Sequence, residues 1–150
     1  MIHVIFVFLG MLKLCLKRTK LKRMATKEKI YTQHHENEDW INKLDFYKEE
    51  LNILKGRLEE LALKNTSKKV TLEIEHFQNQ FIIQNNNIDN IAHAVKINES
   101  ELIASIESNP VAAAHRKIEY HEREHDLVTT FEKNFKQLRK DFNNFSSKWM

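Results

Sequence analysis

His121 and His125 stand four residues apart in the segment HRKIEYHEREHD (residues 115–126), which also carries His115, Glu119, Glu122, Glu124 and Asp126. Residues four apart share one face of a helix, and two imidazoles so placed have the spacing by which helices present paired ligands to a metal ion. Imidazole nitrogens combined with carboxylate oxygens suit borderline metals such as zinc, iron, nickel or copper. The candidate ligand set is His121 and His125 with Glu122, Glu124 or Asp39, and with His93 as a further ring. Two other readings compete with it. The rings can be ordinary solvated histidines on a helix surface, or a pH-sensitive patch, since clustered imidazoles titrate near neutrality. Which applies depends on the elements that hold them.

Two glycines and one proline in 150 residues are few beside the roughly ten and seven of typical usage. Sheets need frequent turns, so this composition predicts a few long helices. Charged residues make up 30% of the chain and are mixed in sign, as on helices with solvated outer faces. The single cysteine, Cys15, excludes an internal disulfide framework and a cysteine-rich zinc site, and it fits a reducing, cytoplasmic setting.

Hydrophobic spacing confirms the class. Trp40, Leu44, Tyr47, Leu51, Leu54, Leu58 and Leu61 step by four and three, the period of a coiled-coil seam. A second seam runs from Val70 through Phe77, Phe81, Gln84 and Ile88 to Val95, and a third from Val128 through Phe135 and Phe142 to Trp149. The prediction is an all-α antiparallel bundle of three long helices over about 26–64, 67–97 or 67–108, and 110–149. Asn65 is expected to take a left-handed cap, Thr66 or Ser67 to N-cap the second helix, and Asn109-Pro110 to open the third. Asn98 and Glu101 in NESE read as a capping box, so a break at Asn98 and a short fourth helix over 99–108 are also expected as an alternative.

Short connections set residue x of the first helix beside about 131 − x of the second, and residue y of the second beside about 219 − y of the third. Trp40, Ile91 and Val128 then share a level, and Tyr47, Gln84 and Phe135 share another. In that layer the Gln84 amide is expected to bond the Tyr47 hydroxyl and fix the register. Beyond Trp40 the levels turn polar, with Asn37, Val95 and Glu124, then Gln33, Asn98 and His121. His34, His35, His93, His115, His121 and His125 gather around this end. At about 100° per residue, His93 and His115 point away from their seams, and His121 lies nearest the core. These angles favour solvated rings over a shared metal site.

Glu73-x-x-His76 and Glu122-x-x-His125 match the ligand fragments of ferritin-like di-iron bundles, but the level rule holds the two about 30 Å apart, so they cannot share one site within a chain. His121 and His125 also match a fragment of hemerythrin-like bundles. His76 is followed four later by Gln80 rather than a carboxylate, so that family's oxygen chemistry is not carried over. No glycine-rich phosphate loop is present, and no poised nucleophile stands beside a base.

The first 23 residues differ from the rest. MIHVIFVFLGMLKLCL is followed by KRTKLKR, and Lys13, Lys17, Arg18, Lys20, Lys22 and Arg23 have no acid among them. The whole chain carries +3, so residues 24–150 carry −3. Three readings stand: upstream sequence before a true start at Met24, a membrane anchor, or a signal peptide. The apolar run is shorter than the roughly 20 residues of a spanning helix, and its charges follow the run, unlike a signal peptide's. A membrane partner is therefore expected only if residues 1–23 are retained. The acidic body, with lysines interspersed among glutamates, predicts no nucleic-acid partner.

HFQNQFIIQNNNIDN and FEKNFKQLRKDFNNFSSKWM resemble uncharacterised small bacterial helical-bundle proteins. The resemblance covers most of residues 37–150 and implies no activity. The functional expectation is a non-enzymatic interaction or scaffold protein without a cofactor. Leu72, Ile82, Ile83 and Ile97 fall off the second seam and need a cover, for which a homodimer is the simplest. The alternative is a metal- or pH-sensing bundle built on the polar end.

Overall fold

A computed structural model describes residues 2–108 and 118–150. It contains three helices, α1 (Ile2–Lys64), α2 (Lys68–Ser108) and α3 (Ile118–Trp149), with no strand among the described residues. The expected opening at Asn109-Pro110, like His115, lies outside the described residues. At 63 residues against 41, α1 outruns α2. The surplus lies at its N-terminal end, because the other ends meet at the 65–67 turn. No helix, among the described residues, is long and apolar enough to cross a membrane.

The seams form the core. Leu44, Leu51, Leu58 and Leu61 of α1, Val70, Phe81, Ile88 and Val95 of α2, and Phe135 and Phe142 of α3 are almost wholly buried. Trp40, Ile91 and Val128 belong to the same buried cluster. The far end is aromatic: the Phe77 ring lies 5.4 Å from Phe142 and 5.1 Å from Phe145, and Phe81 lies 5.3 Å from Phe142. Such edge and tilted contacts add to the area buried. On the outside, Lys43–Glu132 at 3.5 Å and Glu50–Arg139 at 2.5 Å tie α1 to α3 in parallel, each pair spanning the same number of residues.

The turn between α1 and α2 closes differently from the expectation. No described residue other than glycine has a positive φ, so Asn65 takes no left-handed cap. Its side-chain amide donates instead to the carbonyls of Leu61 (3.0 Å) and Trp149 (3.1 Å). The Leu61 carbonyl already accepts the Asn65 backbone N–H at 3.1 Å, so this second bond anchors the side chain, while the other gives the end of α3 a partner for its Trp149 carbonyl. The carbonyl of Ser67 accepts the first bond of α2, from Thr71, which makes Ser67 the N-cap.

Helix α2 runs unbroken to Ser108. The alternative of a break at Asn98 with a separate helix over 99–108 is therefore corrected. Asn98 and Leu102 are buried on the continuation of the same seam, and core packing overrides a local capping signal.

Candidate functional site

The seams place polar side chains in the interior at one end of the bundle. Gln33, Asn37, Asn98 and Glu124 are all buried there, in seam positions that leucine or phenylalanine occupies elsewhere. A buried amide or carboxylate must find partners, because its desolvation is otherwise uncompensated. Here the partners lie on different helices. Asn37 of α1 donates to Glu99 Oε2 of α2 at 2.7 Å, and the other oxygen of Glu99 lies 2.5 Å from His34 Nδ1. Asn98 of α2 donates to Glu124 of α3. His121 Nε2 of α3 pairs with Glu36 of α1. Each pair of helices is thus joined by its own polar link, and the three links close a ring around the bundle.

The boundary between this ring and the apolar core is Trp40. The His121 ring stacks on it with centroids 4.8 Å apart and the planes 26° from parallel, and His125 lies 6.1 Å away at a tilt. The two imidazoles differ in exposure: the His121 side chain is 19% exposed and that of His125 is 63% exposed. His34 is half exposed, yet its hydrogen bond to Glu99, reinforced by the Glu99 charge, holds its pKa above the ordinary value of 6.5.

The predicted ligands do not converge. His121 faces Trp40 and Glu36, while His125 faces solvent and Asp126. Glu124 is buried against Asn98. Asp39 lines an open groove between α1 and α2 with His35, Glu38, Lys96 and Glu99. Glu122 lines another between α2 and α3 with Asn87, Asn90, Arg123 and Asp126. His93 is exposed on α2. Among the described residues, no group of three or more His, Cys, Asp or Glu is placed to hold a metal ion.

Glu99 is the residue that sequence reasoning overlooked. It stands beside the Asn98 seam position, within reach of α1, but the capping-box reading drew attention to Glu101 instead. The Tyr47–Gln84 layer also needs correction. The Tyr47 hydroxyl donates to Glu132 at 3.4 Å, and Gln84, though buried, has no partner for its side-chain oxygen. Tyr47 packs between the Phe131 and Phe135 rings with its hydroxyl on Glu132 of the same helix, α3. Burial, followed by the Glu132 charge, pushes the Tyr47 pKa above 10.0.

Comparison with protein families, curated proteins and solved structures finds no match for this chain. What the arrangement can do must be read from its own groups. They bond to one another across helix boundaries instead of aiming at a common point, and the neighbouring grooves are open. This is the chemistry of a register lock.

Proposed function

We propose that this protein is a non-catalytic helical-bundle interaction protein that associates with copies of itself. The observation that supports the reading is the outer face of α2. Leu72, Ile82, Ile83 and Ile97 remain 58%, 56%, 48% and 46% exposed after α1 and α3 have packed. Single exposed apolar residues are ordinary, but several on one helix face mark a surface that gains by being covered. A second copy is the simplest cover, because a two-fold axis presents the same patch twice. Sedimentation velocity of the untagged chain at tens of micromolar tests the reading. A dimer is expected, and a species that stays monomeric throughout that range would refute self-association.

A further inference from the structure

The exposed stripe of α2 lies two residues on from each core position, about 200° round the helix, and it keeps the same alternation of four- and three-residue steps. It has a symmetry of its own. Taken from its two ends towards the middle, the stripe meets Leu72 and Ile97, then His76 and His93, then Asn79 and Asn90, then Ile83 and Asn86, and all eight are exposed. At three of the four levels the two residues are of one chemical type.

We infer that α2 is the contact helix of a two-fold dimer, pairing antiparallel with α2 of a second copy about an axis between Gln84 and Asn85. This deepens the self-association proposed above and rests on it. In that register Leu72 meets Ile97 of the second copy, His76 meets its His93, and Asn79 meets its Asn90. Like therefore packs on like: apolar on apolar, imidazole on imidazole, amide on amide. An amide pair inside an otherwise tolerant seam fixes register at some cost in strength. Ile83 faces Asn86, the one unmatched level, and the two Ile83 side chains lie in adjacent layers across the axis.

The flanks select the same register by charge. Glu75 comes opposite Lys96 of the second copy, and symmetry makes the pair twice. Both residues are exposed, and within one chain they stand about 30 Å apart along the helix. Ile82 comes opposite Asp89, which its own chain already holds through Lys48 at 2.6 Å and Asn85 at 3.1 Å. Sliding the helices by one heptad sets Ile97 on Asn79, Ile83 on His93, and Asp89 on its own counterpart, a like-charge contact. The opposite slide carries Ile97 past the start of α2 at Lys68. Because the stripe lies opposite the seam for α1 and α3, neither helix obstructs the approach.

The test is sedimentation equilibrium on the full chain and on substituted chains, with helicity checked by circular dichroism. Ile83→Asp is expected to weaken the dimer at least about tenfold, as a charge at the centre of a seam does, and Ile97→Asp, which meets Leu72 in the outermost level, by about threefold to tenfold. Glu75→Lys and Lys96→Glu are each expected to weaken it by about threefold to tenfold. The chain carrying both reversals is expected to return to within about twofold of the parent, since each new lysine then meets a new glutamate. A wild-type dimer that ignores these changes, or a double reversal no better than the singles, would overturn this interface and leave self-association standing. A monomeric wild type would remove both.

Discussion

Gln84 shows what a single residue costs when its partner is elsewhere. Its side chain is 7% exposed and its oxygen is unbonded, while the hydroxyl in the same layer is committed to Glu132. A buried acceptor left unsatisfied forfeits its hydration without return. Gln84→Leu removes the polar group and keeps most of the volume, so it is expected to stabilise the fold by about 1 kcal/mol. For a chain of this size that raises Tm by about 3 °C in a thermal melt followed by circular dichroism. A fall in Tm would mean that the amide is bonded and contributes to the register after all. The residue's seam position was legible in the sequence, because a polar type at an apolar step announces itself. Its partner was not, because the direction in which a tyrosine hydroxyl leaves its layer depends on the rings around it, here Phe131 and Phe135.

Between elements, the links carry pH dependence. Glu99 joins α2 to α1 through both Asn37 and His34, and the bond it makes to His34 raises that imidazole's pKa above 6.5. A raised folded-state pKa means that the protonated ring is favoured in the folded chain. Its contribution is fully present below the unfolded value and is lost as pH rises through the folded one. His34→Gln is therefore expected to lower Tm most at about pH 6 and little by about pH 8.5, the range over which an imidazole gives up its proton. The gap is expected to narrow in high salt, since the pair is partly exposed. A difference that is the same at every pH would show that the charge plays no part. The helices themselves were legible from period alone, as the buried steps of all three show. What period could not supply was the end of α2. NESE carries the local signature of a helix start, yet Asn98 turns inward to Glu124 and the helix continues through it. A capping box competes with burial on the same side chain, and here the bond to a third helix wins. The inward turn of His121 followed from its angle to the seam, whereas its stacking on Trp40 required knowing where α1 stood.

Over the whole molecule the two ends of the bundle are held by different forces. Phe77, Phe81, Phe142 and Phe145 close one end with aromatic contacts among buried rings. The other end relies on Asn37, Glu99, Asn98, Glu124, His121 and Glu36, with Leu102 as its buried apolar residue on α2. Apolar burial is lost only when the helices separate, whereas a hydrogen-bonded link exchanges its partner for water at a net cost of about 1 kcal/mol. Stability along a single helix is then graded, and local opening draws on the weaker end first. Native-state hydrogen exchange read along α2 is expected to show this. Backbone amides from Ile74 to Ile91 should exchange only with global unfolding, and those from Glu99 to Ser108 through a smaller opening that leaves the aromatic end intact. Glu124→Ala, which removes the link between α2 and α3, should quicken the second group several-fold and leave the first governed by the same global event. Uniform protection along α2, or opening that begins at the phenylalanine end, would contradict the division. The graded end also has a bearing on assembly, because the outer stripe from Leu72 to Ile97 stops just where the polar ring begins. Most of the stripe is therefore backed by the apolar seam of α2, and a contact made there is expected not to wait on the opening of the other end.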